Sequence, residues 1–218
     1  MTRIWYHYEK EDVMLKNSPA GGSGRTNQKT RTRLAIINAC RALIQTGAIV
    51  TMPDVAARAL VSEATAYRYF PDLGTLINEA LVGLWPSPDE ALQPIASSSD
   101  PLERIAFASE VFLWRILAYQ GSVRAMIAAT ITRQEGAARR PGLRFAWIEY
   151  ALAPAGAPLE PLDANAFARL KRDLAVIVSP EALFTLTDLC GLTPDDAVMQ
   201  CVRLATTITA AALKRIET

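Results

Sequence analysis

The sequence predicts an all-α protein with two helical domains. Half of the 218 residues are apolar, only 7% are aromatic, and alanine and leucine dominate, a composition that favours helices packed on helices. Apolar residues recur at spacings of three and four along most of the chain, which is the period of an amphipathic helix. Pro86, Pro88 and Pro94 interrupt that pattern and place a domain boundary near residues 86–98.

Residues 1–24 predict a flexible tail, because their second half is rich in serine, glycine and proline and they have no apolar period. A minor-groove arm, a partner-binding segment and an upstream extension remain open as its role.

Residues 28–46 predict the first helix, in which Ile36, Cys40 and Ile44 share one face. Gly47 is placed to end it.

Two short helices follow the first. Residues 51–59 begin at Thr51, which pairs with Asp54 in a capping-box pattern. Residues 62–70 begin at Ser62, and only Ala66 and Phe70 form an apolar stripe, so the rest of this helix presents a polar face. Two short helices joined by a tight link form a helix-turn-helix, whose second helix enters the major groove of DNA.

Many spaced positions between Arg33 and Leu76 fit one known pattern. They are Gly47, Thr51, Val55, Ala56, Val61, Ser62, Thr65, Tyr67, Arg68, Tyr69, Phe70, Pro71 and Leu76. This run resembles the DNA-binding domain of TetR-family transcriptional regulators. The resemblance implies an N-terminal three-helix helix-turn-helix DNA-binding domain, residues 25–86, followed by a larger helical ligand-binding and dimerisation domain, residues 98–218.

Two positions depart from the family pattern. Leu60 stands in the turn where glycine is usual, and a leucine is strained there if the turn needs a positive φ. Leu73 stands where a lysine usually follows the recognition helix, which removes one phosphate contact. A helical dimeric interaction protein with weak or no DNA binding is therefore the alternative to a DNA-binding regulator.

The resemblance implies which residues contact DNA. Hydroxyls and phenols of the second and third helices hold the backbone, whereas Glu63, Ala64 and Arg68 face base edges; an arginine can take guanine O6 and N7 together. Lys29 and Arg31 are candidates for phosphate contacts. The full predicted set is Lys29, Arg31, Thr51, Ser62, Glu63, Ala64, Thr65, Tyr67, Arg68 and Tyr69. A dimer presents two recognition helices, so the expected target is a palindromic operator in double-stranded DNA, and repression is the family's usual outcome.

The charge is distributed unevenly. The net charge is only +1, but residues 25–45 carry five basic and no acidic side chains, whereas residues 86–218 carry 13 basic and 15 acidic ones. A basic segment beside a neutral or acidic body is typical of a DNA-binding head on a larger body. A solvated helix face is the alternative interpretation of the basic run.

The C-terminal half predicts further helices and two further surfaces. By the resemblance, aromatic and sulfur side chains in the body line a site for a small, largely hydrophobic effector: Phe107, Trp114, Tyr119, Met126, Trp147 and Tyr150. The alternative is that these side chains are core. The last two helices carry wide apolar faces and, by the resemblance, form a homodimer interface through Leu183, Phe184, Val198, Val202 and Ala205. The alternative is that the chain's own helices cover them.

Other classes of protein find little support in the sequence. One histidine, no glycine-rich phosphate loop and no metal-like spacing argue against an enzyme, and no cofactor or metal is predicted. Cys40, Cys190 and Cys201 each fall in an apolar helical pattern and are expected to be buried thiols. The absence of a long apolar run predicts no membrane span, and a cytoplasmic location is expected.

Overall fold

The computed structural model describes residues 24–47, 49–82, 84–131, 142–152 and 163–214. These residues form helices and no strand, which confirms the all-α class. The N-terminal domain consists of α1 (Gly24–Gln45), α2 (Met52–Arg58), α3 (Glu63–Tyr69) and α4 (Leu73–Val82). The predicted tail, apart from the first residue of α1, lies outside the described residues.

Helix α1 begins earlier than its apolar period predicted. The hydroxyls of Thr30 and Thr32 donate to the carbonyls of Thr26 and Gln28, at 3.1 and 3.0 Å. These residues are polar and mostly exposed, and the buried positions start only at Ile36. The first turns of α1 therefore project beyond the core of the domain, where no periodicity marks them.

The core of the N-terminal domain joins all four helices. Its buried side chains include Ile36, Cys40 and Ile44 of α1, Val55 and Ala56 of α2, Ala66 of α3, and Leu76, Ile77 and Ala80 of α4. Asp72 caps the start of helix α4, because the amide of Thr75 donates to Asp72 Oδ1 at 2.7 Å. It ends at Val82, and the chain then turns with the amide of Leu84 donating to Leu81 O.

The linker between the domains is more regular than its prolines suggested. It contains α5 (Pro88–Ala91) and a 3-10 turn (Gln93–Ile95). Pro88 lies in the first turn of α5, where the ring's fixed φ suits the helix and no N–H is required. Ser87 and Glu90 form a capping box around that turn. Pro88 and Pro94 thus lie within short helical turns instead of breaking them.

The C-terminal domain is organised around its first long helix. It comprises α6 (Pro101–Ala118), α7 (Gln120–Ile131), α8 (Leu143–Leu152), α9 (Ala164–Ile177), α10 (Pro180–Phe184), a π-helical turn (Thr185–Leu189) and α11 (Pro194–Lys214). Helices α8 and α11 pack on α6, and α9 packs on α8 and α11. The break between α6 and α7 falls at Tyr119, and Gly121 lies in the first turn of α7.

A buried arginine fixes the linker to the C-terminal domain. Arg104 of α6 donates to the carbonyls of Ile95 and Ser98 in the linker, at 3.1 and 3.3 Å. It also donates to the carbonyls of Tyr150 and Ala151 at the end of α8, at 2.8 and 2.9 Å. A buried guanidinium requires such partners, and here four backbone carbonyls supply them. Arg104 therefore joins α6, α8 and the linker at one point.

The two domains also touch directly. Helix α4 packs against α7, and a Cβ at Gly121 of α7 would lie 3.9 Å from the carbonyl of Gly47, in the turn after α1. Near the other end of α6, Arg115 donates to Leu84 O at 3.3 Å. The end of α4 is thus held by the C-terminal domain. None of the described helices is both long enough and apolar enough to cross a membrane.

Candidate nucleic-acid interface

The start of α2 is held by a threonine cap. Thr51 accepts from the amide of Asp54 at 3.3 Å, and its hydroxyl donates to the Asp54 carboxylate at 2.5 Å. The predicted capping pair is confirmed. Thr51 remains exposed, and its hydroxyl must release the Asp54 carboxylate before it can donate to an acceptor on another molecule.

The turn between α2 and α3 is a Schellman motif with a leucine at its left-handed position. The amide of Val61 donates to Ala56 O at 3.0 Å and that of Leu60 to Ala57 O at 3.2 Å. This pair of bonds requires a left-handed residue, and Leu60 has φ +56°. The leucine side chain is 92% exposed, so packing does not offset the strain. Leu60 therefore keeps the turn geometry that glycine usually provides.

Helix α3 has a narrow anchor and a wide exposed face. Ser62 caps it by accepting from the Thr65 amide at 3.2 Å, and the hydroxyls of Ser62 and Thr65 lie 2.9 Å apart. Ala66 is completely buried and Phe70, the C-cap, is nearly so. The predicted stripe is confirmed, and it holds α3 against the rest of the domain while leaving the opposite face free.

Four residues on the exposed face of α3 point away from the core. Glu63, Ala64, Tyr67 and Arg68 are exposed, and Tyr67 is 48% accessible. Within the described part of the chain, Arg68 pairs with no carboxylate; its guanidinium lies over the Tyr69 ring, 5.7 Å from the centroid. Such an arginine can bind an acceptor on another molecule without first breaking an ion pair.

A groove separates the projecting part of α1 from α3. It has a volume of about 630 Å³ and is lined by Gln28, Lys29 and Thr32 on one side and by Val61, Thr65, Arg68 and Tyr69 on the other. Lys29 and Arg68 thus place positive charge on both walls. Of the two predicted phosphate contacts, Lys29 lies in this groove, whereas Arg31 is exposed on α1 but does not line it. Sequence reasoning missed Gln28 and Thr32, because nothing in α1 alone indicates that α3 lies opposite.

Two of the basic residues in α1 brace the domain internally. Arg33 binds Glu79 of α4 through both guanidinium nitrogens, at 2.6 and 2.5 Å, and lies 4.9 Å from the Phe70 ring centroid. Arg41 donates from Nε to Ala80 O at 3.2 Å. Part of the basic run is therefore structural. The sequence gives no local signal for these contacts, since their partners lie 46 and 39 residues away. Leu73, where the family pattern has lysine, packs partly buried against the core.

The residues predicted to bind an effector differ in their exposure. Met126 and Trp147 are buried, Phe107, Tyr119 and Tyr150 are partly buried, and Trp114 is 40% exposed. Trp147 packs in an aromatic cluster with Trp85 and Phe112, neither of which was predicted.

The residues predicted at a dimer interface lie inside the chain's own core. Leu183, Phe184, Val198, Val202 and Ala205 are all buried, and α11 packs against α6, α9 and α10. A partner cannot reach these side chains without unpacking the domain, so contact would have to fall on the outer face of α11. Met199 lies on that face and is 56% exposed.

The cysteines differ in exposure and in acidity. Cys40 and Cys201 are buried as predicted, and burial raises their thiol pKa values to about 12 and about 11. Cys190 is exposed, so the prediction that it is buried was wrong. It follows the π-helical turn and precedes Gly191 at φ +67°, where the chain leaves the core. Among the described residues, no three histidine, cysteine or acidic side chains are placed to hold a metal ion.

The geometry is that of a helix-turn-helix domain, in which a short capped helix stands exposed on a small domain joined to a larger helical one. Residues 36–80 match the sequence model of the bacterial regulatory proteins of the tetR family. In this N-terminal part the chain is similar to the tetR-family regulators.

A solved structure supports the fold over most of the chain. A TetR transcriptional regulator from Rhodococcus sp. RHA1 superposes with a TM-score of 0.55 and 18% sequence identity, covering 83% of this chain and 97% of the other. At this identity the similarity concerns the fold. No curated protein sequence matches the chain.

Proposed function

We propose that the protein is a homodimeric repressor that binds a palindromic operator through α3 and is released by a small, largely hydrophobic ligand. The observation that supports this most strongly is the exposed face of α3, where Arg68 is free of described carboxylates while the anchor residues Ala66 and Phe70 are buried. Helices that project a polar face from a firmly packed base are suited to enter a major groove.

The contacts divide into reading and positioning. Arg68, Glu63 and Ala64 face base edges, and Arg68 takes a guanine through O6 and N7. Tyr67, Thr65, Tyr69, Ser62 and Thr51 position the DNA backbone. Lys29, across the groove from Arg68, and Arg31 neutralise phosphates.

Dimerisation places two copies of α3 on one face of the DNA. The proposed surface is the outer face of α11 around Met199, since the inner face is occupied by α6 and α9. Two recognition helices then contact half-sites with centres about 34–36 Å apart. In a cytoplasmic regulator, binding at such a site blocks an overlapping promoter. An effector that binds the DNA-free conformation more tightly than the DNA-bound one releases the protein from the DNA.

Three single substitutions test the division between reading and positioning. Arg68→Ala is expected to reduce the preference for a selected duplex over a scrambled one by about 5- to 150-fold, because a bidentate base contact is worth about 1–3 kcal/mol. Lys29→Ala is expected to weaken both duplexes equally and to lower the slope of log K against log salt by about 1. Arg169→Ala removes the same charge from an exposed position on α9 and is the control.

The measurement is a fluorescence-anisotropy titration of both duplexes at about 50 and 200 mM salt, the range over which phosphate contacts weaken strongly. An unchanged sequence preference in Arg68→Ala would remove this residue from base reading. If the folded wild-type dimer bound neither duplex, the protein would instead act through contacts with other proteins.

A further inference from the structure

The groove between α1 and α3 carries positive charge that no described carboxylate neutralises. Lys29 on the α1 wall and Arg68 on the α3 wall are both exposed, and neither forms an ion pair within the described ranges. Arg33, one turn further along α1, differs because it is bound to Glu79. The groove is therefore open to an anion that can reach both walls.

The groove also has an apolar and aromatic part. Val61 and Tyr69 line its α3 wall, both partly buried, and the Arg68 guanidinium lies 5.7 Å from the centroid of the Tyr69 ring. The volume of about 630 Å³ is within the range of sites that enclose a whole small ligand. A short peptide segment that combines carboxylates with aromatic rings would match both parts of this groove.

The sequence upstream of α1 contains such a segment. The first 53 residues hold only three acidic side chains, Glu9, Glu11 and Asp12, and these lie within four positions. A largely aromatic run, Ile-Trp-Tyr-His-Tyr at residues 4–8, directly precedes them. The only carboxylates on the N-terminal side of the helix-turn-helix are thus concentrated in one place, next to rings and upstream of a basic helix.

The connection to α1 is long enough for this segment to fold back. Asp12 precedes Gly24 by twelve positions, and the second half of this stretch is rich in glycine and serine. A coil of that length and composition spans about 17–21 Å on average and at most about 40 Å. Lys29 lies five positions after Gly24, which is roughly 8 Å along the helix axis. The tether therefore holds the carboxylates near the groove at a concentration on the order of millimolar.

We infer that residues 4–12 dock in the groove between α1 and α3 of their own chain, where the carboxylates of Glu9, Glu11 and Asp12 pair with Lys29 and Arg68. The contact is autoinhibitory, because the carboxylates occupy the place of DNA phosphates and bases at these two cations. This inference rests on the proposed function, since it regulates the same DNA-binding surface.

The size of the effect follows from the kind of contact. Exposed ion pairs are weak and are screened by salt, so the segment is displaced when DNA binds. Because it must leave before any duplex enters, it lowers the affinity for every duplex by the same factor, the fraction of molecules with an empty groove. Sequence preference is therefore unchanged, and only the absolute affinity responds to the segment.

The first arm of the test detects the contact in the full-length protein without DNA. A water-soluble carbodiimide joins a carboxylate to a lysine amine when the two groups touch, and mass spectrometry identifies the linked peptides. The ion pair of Lys171 with Glu149, at 2.9 Å, is the internal reference for a formed contact. Arg31→Lys supplies the matched control, because it adds an amine that is exposed on the same helix but does not line the groove.

The inference predicts links from residues 9–12 to Lys29 and few to the amine added by Arg31→Lys. Equal yields at these two amines, or no link to Lys29 while the reference pair is linked, would overturn it. A mixture of isotope-labelled and unlabelled protein separates links within one chain from links between two. Links found only between chains would overturn the assignment of the groove to the chain's own segment.

The second arm measures DNA affinity by fluorescence anisotropy. Glu9→Gln/Glu11→Gln/Asp12→Asn keeps the size of the side chains and removes their charge. It is expected to raise the affinity for selected and scrambled duplexes equally, by about 2- to 10-fold at low salt, the range that one or two exposed ion pairs supply. The gain is expected to shrink at about 200 mM salt, because screening weakens the competing contact. An unchanged affinity at low salt would overturn the autoinhibitory role.

A double-mutant cycle separates docking from simple repulsion between the acids and DNA. In a Lys29→Gln background one anchor of the segment is missing, so the same triple substitution is expected to give a smaller gain. An equal gain in both backgrounds would show that the acids only repel DNA, and it would overturn the inference. If no variant bound any duplex, the proposed function would be refuted, and the crosslinking arm, which contains no DNA, would still decide whether the segment docks.

Discussion

The leucine in the turn between α2 and α3 provides a direct test of backbone strain. Leu60 adopts φ +56° and is 92% exposed. A left-handed conformation costs a non-glycine residue about 1–2 kcal/mol. Replacement by glycine removes that cost. It also makes the unfolded chain more flexible, which lowers the stability by about 0.4–1 kcal/mol, and it loses the small buried part of the side chain, which lowers the stability by a further ~0.2 kcal/mol. Leu60→Gly is therefore expected to stabilise the protein by about 0.6 kcal/mol.

The matched control is Leu60→Ala, which keeps the strain and loses only the small contact, so its stability is expected to lie within about 0.3 kcal/mol of wild type. The assay is urea unfolding followed by circular dichroism at 222 nm, at one fixed protein concentration because association adds to apparent stability. In a thermal scan of the same samples, a melting temperature about 2 °C above wild type is expected for the glycine variant. If Leu60→Gly were no more stable than Leu60→Ala, the assignment of strain to this turn would be refuted.

Three further predictions concern the thiols, an ion pair and the buried arginine. At pH 8, the exposed thiol of Cys190 is expected to react rapidly with a disulfide reagent. Cys40 and Cys201 are expected to react only after unfolding, because burial keeps their thiols protonated. Hydrogen bonding from Arg124 lowers the pKa of the Asp188 carboxyl. The stabilising effect of this ion pair is therefore fully present above the ordinary aspartate pKa of about 3.9 and is lost as the pH falls through the lowered value. Arg124→Gln should return the pKa of Asp188 towards normal in an NMR titration. Arg104→Met removes the guanidinium from four backbone carbonyls, of which Ile95 O still accepts from the Ser98 amide. It is expected to destabilise the protein by at least about 3 kcal/mol in urea unfolding, with little rescue by Arg104→Lys, which lacks the planar fork.

Features encoded by local chemistry could be predicted, whereas contacts distant in sequence could not. The caps at Thr51 and Ser62 depend on residues three positions away, and the structure confirms both. The ion pair of Arg33 with Glu79 joins helices 46 residues apart, and no local pattern marks it. For the same reason, the basic run of α1 could not be divided into internal braces and exposed cations from the sequence.

Periodicity identifies an apolar face but not what covers it. The stripe of α11 containing Val198 and Val202 was assigned to a partner, yet the chain's own helices bury it. Conversely, Trp85 directly precedes the proline-rich linker, so it belonged to no periodic face. Its place in an aromatic cluster depends on how α6 and α8 meet.

The most direct test of the central claim, that α3 of a dimer reads DNA, is selection of bound duplexes from a random library by the purified full-length protein. The account predicts enrichment of one inverted repeat whose half-site centres lie about 10 base pairs apart or a multiple of that spacing. Failure of a folded, dimeric protein to enrich any sequence would contradict it.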